Sequence, residues 1–200
     1  IRFKSTSPNS SGSLEFISEI LIKHQFRCHL LEFGEKEKKV KNLYAIFKGG
    51  KGPNICFAGH TDVVPPGDIN DWSTDPFKPI IKKGKIFGRG ASDMKTAIAA
   101  FISSTLFFLS KKKYNFNGSI SFLLTADEEG DADYGTKKVV DWLKNKKNKP
   151  DFCIVGEPTN PSNIGDMIKI GRRGSLNGVI TVKGKQGHVA YPEKAKNPIN

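Results

Sequence analysis

The sequence predicts an α/β fold: a mixed, mostly parallel sheet with helices on both faces. Three observations predict it. Short apolar segments rich in β-forming residues are bounded by glycine or polar residues, longer apolar segments separate them, and the two kinds alternate along most of the chain. Because alternating strands and helices usually place their strands in parallel, we expect one such sheet.

The predicted elements follow in chain order. Leu14, Ile17 and Leu21 recur at roughly helical spacing after Ser and Gly, which predicts a helix over 14–26. Residues 94–109 form a long apolar segment rich in Ala and Leu, which indicates a buried helix. The other predicted elements are strands at 42–48, 54–58, 85–87, 119–125 and 152–155, a loop at 65–79 and a helix at 136–144.

The pattern changes near residue 174. From Leu176 to Val182 the apolar residues occupy even positions, which predicts a strand with one buried face in a second, smaller sheet. We therefore expect two domains, 1–173 and 174–200, the second of the α+β class and incomplete within these residues.

Charge and composition disfavour two classes of partner. The net charge is +12, but nearly all of the positive charge is Lys scattered through polar segments, so we expect a solvated surface and no nucleic-acid partner. No apolar segment reaches the ~18 residues of a membrane span, so no membrane partner is expected.

Cys28, Cys56 and Cys153 form no CxxC pair, which favours a reducing, cytoplasmic location, and the last two have the apolar neighbours of core residues. No signal peptide is recognisable, although the chain begins at Ile1.

Acidic and histidine residues cluster where predicted strands end. Three of four clusters directly follow a buried strand, at the edge of an open α/β sheet where ligands bind. The clusters are His60 with Asp62, Asp93 ahead of the long helix, Asp127–Glu129, and Glu157. Their shared placement indicates a site more strongly than any one of them does.

One imidazole and several carboxylates at one edge suit a divalent cation, because unpaired carboxylates would repel one another. These ligand types favour Zn²⁺, with Co²⁺ or Mn²⁺ as substitutes, and a carboxylate can bridge two ions. Asp62 is placed to accept the second ring N–H of His60, and Glu128 is free to accept a proton from water.

Each cluster also has an interpretation without a metal. A His-x-Asp pair most often lies on the surface, and adjacent acids such as Glu128 and Glu129 most often lie in a solvated turn. Asp93 could cap the helix that follows it, and Glu157 before Pro could start a turn. The joint placement beside glycine-rich turns is what favours metal-dependent hydrolysis.

Six segments, spread over most of the chain, resemble the di-zinc aminoacylase and carboxypeptidase family. They are Phe57–Gly67 (FAGHTDVVPPG), Gly88–Lys95 (GRGASDMK), Thr125–Glu129 (TADEE), Val155–Pro158 (VGEP), Gly171–Ser175 (GRRGS) and Gly187–Pro192 (GHVAYP). The resemblance implies a zinc-aminopeptidase-like catalytic domain, a smaller lid and dimerisation domain, and a homodimer. It also implies two zinc ions per full-length chain, with Co²⁺ as a substitute.

The resemblance assigns metal ligands. His60 and Glu157 would bind one zinc ion, Glu129 would bind the other, and the bridging ligand would be Asp93. The peptide bond between Asp93 and Met94 would be cis.

It also assigns residues that act on the substrate. Asp62 would orient the histidine ligand, and Glu128 would be the proton acceptor. His188 would reach across a dimer to stabilise the oxyanion, while Arg172 and Tyr191 would bind substrate. Without the resemblance, Arg172 is equally typical of a solvated strand end and His188 of a loop.

Two features depart from the family pattern. Ala126 stands where the family often has Ser, and no His follows His188, although the family completes its second zinc site with a His near the C-terminus of a much longer chain. His24 and His29 are expected to be solvated. We therefore expect a fragment that lacks a few N-terminal residues, most of the lid and the last catalytic elements, and that is inactive alone.

Within the family, the GRRGS and GHVAYP segments favour one small-molecule substrate, N-succinyl-LL-2,6-diaminopimelate, hydrolysed to succinate and LL-2,6-diaminopimelate in lysine and diaminopimelate biosynthesis. Two alternatives stay open. One is deacetylation of acetylornithine or of another N-acyl amino acid, because those enzymes share the metal motifs. The other is a non-catalytic metal-binding or interaction module.

Overall fold

A computed structural model describes residues 1–36, 38–146, 148–171, 174, 176 and 178–199 of the chain. The α-helices are α1 (Ser13–Lys23), α2 (Thr96–Lys111) and α3 (Thr136–Asn145). The strands are β1 (Arg27–Glu35), β2 (Lys38–Lys48), β3 (Asn54–His60), β4 (Ile80–Lys82), β5 (Lys85–Phe87), β6 (Ser119–Thr125) and β7 (Phe152–Val155). Single 3₁₀ turns lie at Ile69–Asp71 and Pro192–Lys194.

Five strands form the main sheet, in the order β1-β2-β6-β3-β7. β3 pairs in parallel with β6 on one side and with β7 on the other, whereas β2 is antiparallel to both of its neighbours. Only β2 therefore runs against the common direction of this sheet, which confirms the predicted mixed, mostly parallel α/β class. β4 and β5 form a separate antiparallel hairpin.

Helices cover both faces of this sheet, because alternate residues of a strand point to opposite sides. Phe122 and Leu124 of β6 pack in the core cluster that includes residues of α1 and α2. Leu123, between them, packs with Val139 and Leu143 of α3. Burying each such side chain stabilises the fold by about 1.5–3 kcal/mol, so the two cores hold the sheet rigidly between its helices.

The predicted helices and central strands are present, and the edges of the sheet differ from expectation. The sequence pattern predicts neither β1 nor β4. β1 lies at the edge of the sheet and its side chains are exposed or half-buried, so it has no continuous apolar face to mark it. Cys56 is buried as expected, but Cys153 is exposed, because β7 pairs on only one side among the described residues.

The expectation that His24 and His29 are solvated is wrong, since both are half-buried. His24 Nδ1 lies 2.8 Å from the hydroxyl of Tyr114. The ring of His29 lies 5.2 Å from that of Trp142. Both imidazoles therefore pack in aromatic surroundings, which the sequence spacing alone does not show.

The chain divides into two compact units, residues 1–158 and 159–200. In the second unit the described residues of 176–182 form no strand, and Leu176, Val179 and Ile180 are more than nine-tenths exposed. A one-sided strand needs a neighbour to accept its hydrogen bonds and cover its apolar face, and the described residues provide none here. The predicted domain limits, 1–173 and 174–200, stay a prediction. Among the described helices, none has the length and apolar character needed to cross a membrane.

Candidate metal centre

Parallel strands bring the candidate ligands to one edge of the sheet. His60 is the last residue of β3, and the register of β3 with β7 places Ala58 beside Val155. Continuing that register by two residues brings His60 beside Glu157. Asp93 comes from the turn that leads into α2. The site is thus built at the carboxyl ends of the strands, where open α/β sheets bind ligands.

Three of the predicted ligands meet in one cluster. His60 Nε2 lies 2.9 Å from Asp93 Oδ1 and 3.4 Å from Glu157 Oε1. One ligand atom from each of the three residues lies within 4.8 Å of the other two. One imidazole nitrogen and two carboxylate oxygens are donors that Zn²⁺ accepts, so the cluster fits a divalent cation in both chemistry and spacing.

His60 is fixed in the orientation that such a cation requires. The residue is only 1% exposed, and its Nδ1 donates to the backbone carbonyl of Asp62 at 2.9 Å. Because that bond occupies Nδ1, Nε2 is the ring nitrogen that faces the two carboxylates and would bind the cation after losing its proton.

The Asp62 carboxylate orders a second segment. It is completely buried, and its Oδ2 accepts the backbone N–H groups of Glu128 at 3.1 Å and Glu129 at 3.0 Å. Its Oδ1 lies 3.5 Å from His60 Nδ1. Burial opposes the charge, but the hydrogen bonds from His60 and the backbone outweigh it and lower the pKa of Asp62. The sequence predicted that Asp62 lies beside His60. It did not predict that the Asp62 carboxylate also holds the turn at 128–129.

Glu128 and Glu129 follow β6 and differ in environment. Glu128 Oε2 lies 4.0 Å from His60 Nε2, and its side chain is 41% exposed, so it borders the cluster and remains open to water. Glu129 is half-buried, and its pKa is raised by burial and by the negative charge of Asp93. Glu129 lies outside the cluster of three, and its predicted role at a second ion stays a prediction.

The protonation of the cluster reflects crowded negative charge. Burial alone would lower the pKa of His60, but hydrogen bonds and negative charge from Asp62 outweigh it and raise the pKa to about 10. Burial, followed by the charge of Asp93, raises the pKa of Glu157 to about 7. A divalent cation would relieve this repulsion and displace both protons.

Close packing behind the cluster depends on Met94. The Asp93–Met94 peptide bond is cis, as the resemblance implies. Met94 is completely buried, and its Sδ accepts the backbone N–H of His60 at 3.4 Å. A Cβ added at Gly59 would lie 2.6 Å from Met94 Cε, and one at Gly156 would lie 2.4 Å from Phe57 Cζ. The glycines therefore let the three segments that carry the candidate ligands approach one another, and sequence reasoning missed the role of Met94.

A further contact that sequence reasoning missed joins the N-terminal segment to the site. Lys95 Nζ donates to the carbonyl of Phe3 at 2.9 Å and to Ser5 Oγ at 2.7 Å. Ser5 Oγ in turn donates to the carbonyl of Thr61 at 2.6 Å. Burial lowers the pKa of Lys95 to about 8. These partners are distant in sequence, so no local pattern could have indicated them.

The remaining predicted residues belong to the second unit. His188 is exposed, and its Nδ1 accepts the backbone N–H of Ala190 at 3.1 Å. Its ring lies 5.9 Å from that of Tyr191, which is 53% exposed. Arg172 lies outside the described residues. The structure thus brings together His60, Asp93 and Glu157, with Asp62, Glu128 and Glu129 beside them.

Fold and site together define an α/β protein with a candidate metal centre at the carboxyl edge of its sheet. Residues 56–198 match the family described as Peptidase family M20/M25/M40, and the chain belongs to that family.

Two curated relatives show how similar the sequences are. The chain is 57% identical over 200 residues to a Pelagibacter ubique protein named "Succinyl-diaminopimelate desuccinylase", covering 99% of this chain and 51% of that protein. It is 54% identical over 199 residues to one of the same name from Wolbachia pipientis wMel, covering 100% of this chain and 49% of the relative. The chain therefore spans about half the length of these curated relatives.

Solved structures support the fold. An M20 family metallo-carboxypeptidase from Sulfolobus solfataricus superposes with a TM-score of 0.66 at 22% identity, over 78% of this chain and 35% of that one. Human carnosine dipeptidase 1 gives a TM-score of 0.66 at 21% identity, over 77% and 36% of the two chains. At these identities the likeness concerns the fold alone.

Proposed function

We propose that the full-length protein is a metal-dependent amide hydrolase that converts N-succinyl-LL-2,6-diaminopimelate and water to succinate and LL-2,6-diaminopimelate. The reaction class is inferred from the cluster of His60, Asp93 and Glu157, because its three candidate ligand atoms lie within 4.8 Å of one another at the sheet edge. The substrate is inferred from relatives named "Succinyl-diaminopimelate desuccinylase", which are 54–57% identical to this chain. The activity would belong to lysine and diaminopimelate biosynthesis.

Two zinc ions per full-length chain are part of the proposal, with Co²⁺ as a substitute. His60, Asp93 and Glu157 would hold the first ion, and Glu129, sharing Asp93, would contribute to the second. Support comes from the raised pKa of Glu129, which reflects its burial and the proximity of the Asp93 charge. When bound, zinc would act as a Lewis acid on the amide carbonyl.

Glu128 is the proposed general base. Its carboxylate is 41% exposed and 4.0 Å from His60 Nε2, so it can meet a water that enters the site beside the cluster. It would take a proton from the attacking water and pass it to the leaving amine nitrogen. Its backbone N–H is held by Asp62, which limits movement of the base relative to His60.

Residues of the second unit would complete substrate binding. Arg172 would pair with a substrate carboxylate, Tyr191 would contact the substrate, and His188 would stabilise the oxyanion across a homodimer. These roles rest on the family resemblance. The homodimer, the cytoplasmic location and the absence of nucleic-acid and membrane partners stay predictions.

The direct test is hydrolysis by the full-length protein. Purified protein loaded with zinc is assayed for succinate release from N-succinyl-LL-2,6-diaminopimelate and for acetate release from N-acetylornithine. We expect a much higher kcat/KM for the succinylated substrate. A preference for the acetylated one would replace the proposed substrate. No turnover of either, together with no bound zinc, would favour a non-catalytic module.

A further inference from the structure

A short N-terminal segment, residues 5–7, pairs with the backbone that follows β3. The N–H of Val63 donates to the carbonyl of Ser5 at 2.9 Å, and the N–H of Ser7 donates to the carbonyl of Val63 at 3.1 Å. Thr6 and Val63 form an isolated parallel bridge between them. The segment therefore lies along the loop that leaves β3, directly after the first candidate ligand.

Lys95 reaches this segment from the turn that carries Asp93. Its backbone N–H closes that turn by donating to the carbonyl of Gly90 at 3.0 Å. Its side chain crosses to the N-terminal segment, where Nζ donates to the carbonyl of Phe3 at 2.9 Å and to Ser5 Oγ at 2.7 Å. One side chain thus joins the turn of a candidate carboxylate ligand to the N-terminal segment.

The Ser5 hydroxyl continues this connection to the loop after β3. It accepts from Lys95 and donates to the carbonyl of Thr61, 2.6 Å away. Thr61 lies between His60 and Asp62 in the sequence. Because Ser5 is completely buried and Thr61 is only 2% exposed, this connection runs through the interior of the described residues and needs no open surface.

Stability alone accounts poorly for an ammonium group at this position. Lys95 is half-buried, and its acceptors on Phe3 and Ser5 are neutral, so they offset the loss of hydration less than a carboxylate would. Burial of the ammonium also outweighs the attraction of the Asp62 charge. A methionine of similar length would avoid this cost. A role in geometry fits better, because the two hydrogen bonds fix the direction in which the side chain holds its turn.

We propose that Lys95 is a positioning residue for the candidate metal centre: through the Ser5 hydroxyl it fixes the Asp93 turn against the loop that follows β3, and so sets the affinity of the centre for a divalent cation. This inference deepens the proposed function and rests on it. Lys95 would touch neither the cation nor the substrate, because its ammonium is directed at Phe3 and Ser5.

The test measures the zinc affinity of the full-length protein by competition with a chelator at one fixed pH. Lys95→Met removes the donors and keeps most of the side-chain length. We expect it to weaken zinc binding by about 10–100-fold, the usual effect of losing a group that orients metal ligands. Ser5→Ala should weaken binding in the same direction. Lys111→Met, at the exposed last residue of α2, is the matched control and should bind zinc as wild type does.

A double variant tests whether the two residues act along one route. Because the hydroxyl relays the effect of the ammonium, Lys95→Met combined with Ser5→Ala should bind zinc about as weakly as Lys95→Met alone. Losses that multiply, as those of independent sites do, would overturn the proposal.

Cobalt gives a readout that a purely structural role would not change. With Co²⁺ bound in place of zinc, the visible absorption spectrum reports the arrangement of the ligands. We expect the spectrum of Lys95→Met to differ from that of wild type, and that of Lys111→Met to match it. A wild-type spectrum in Lys95→Met would reduce Lys95 to a structural residue and overturn the proposal.

All variants are compared as folded proteins, with urea denaturation of the metal-free forms as the check. If Lys95→Met does not fold, Ser5→Ala decides the question by the same two readouts. Zinc affinity equal to that of wild type in the folded variant would overturn this inference alone, since the wild-type centre stays intact. Absence of zinc binding by the wild type would overturn the proposed function and this inference together.

Discussion

Asp62 links the imidazole of the cluster to the segment that carries the proposed base. Its carbonyl accepts from His60 Nδ1, and its carboxylate accepts from the N–H groups of Glu128 and Glu129. A buried carboxylate with these partners is worth more than a surface hydrogen bond, because its loss leaves desolvated donors without a charged acceptor.

We therefore expect Asp62→Asn to destabilise the full-length protein by about 1.5–3 kcal/mol, since hydrogen bonds to a charged group are lost with little change in size. Urea denaturation measures this difference. Asp68→Asn is the matched control, because Asp68 is exposed and accepts the local backbone N–H of Asn70. Equal stability of the Asp62 variant and the control would contradict the role of Asp62.

Zinc affinity should rise with pH. In the metal-free site the pKa of His60 is about 10 and that of Glu157 about 7, so a cation must displace protons between pH 6 and 8. Each proton released adds about tenfold in affinity per pH unit, and the sign is positive because metal binds the deprotonated ligands. Competition with a chelator of known affinity at pH 6 and pH 8 checks this. An affinity that does not change with pH would contradict the protonation states described.

How far the site follows from sequence differs from residue to residue. His60 and Glu157 could be predicted because the strands that lead to them end at the same edge of the sheet, and Asp93 was indicated by its position just ahead of the long helix. The contacts of Asp62 with the 128–129 turn and of Lys95 with Phe3 could not. They join segments more than 60 residues apart, and hydrogen bonds at that separation leave no periodic signal.

At the level of elements, the end of β7 fits against β3 only because residue 156 lacks a side chain. Phe57, which an added Cβ would meet at 2.4 Å, is itself buried and stacks on Phe101 with ring centroids 4.4 Å apart. The ring therefore has little room to yield.

Gly156→Ala should destabilise the full-length protein by about 1–3 kcal/mol, the usual cost of overpacking, and should weaken zinc binding by displacing Glu157. Denaturant midpoints and zinc titration measure the two effects. Gly171→Ala serves as the control, because an added Cβ there meets none of the described atoms. If both variants match wild type, the close approach of β7 to β3 is not needed.

Elements with a buried apolar face could be predicted, and those held by pairing alone could not. β6 and α2 have strong apolar patterns because they lie in the core. β1 is held at the edge by its hydrogen bonds to β2, which depend on a partner rather than on its own composition. The same reasoning explains residues 176–182, where an alternating pattern lacks a partner strand among the described residues.

At the level of the whole molecule, the chain spans about half the length of its relatives, so the proposed second zinc site needs a test in the full-length protein. We expect about two zinc ions per full-length chain and one per chain for residues 1–200 alone, where three ligand atoms already converge. Metal analysis after removal of free zinc measures both. Equal zinc content in the two proteins would contradict the division of ligands.

The central claim is that the cluster serves hydrolysis and that Glu128 moves the proton. The most direct measurement is kcat of full-length Glu128→Gln on N-succinyl-LL-2,6-diaminopimelate at saturating zinc, with Glu19→Gln on the exposed surface of α1 as the control. We predict that kcat of the Glu128 variant falls by about 10²–10⁴-fold with zinc content unchanged, while the control matches wild type. Unchanged kcat in the zinc-loaded Glu128 variant would contradict the account.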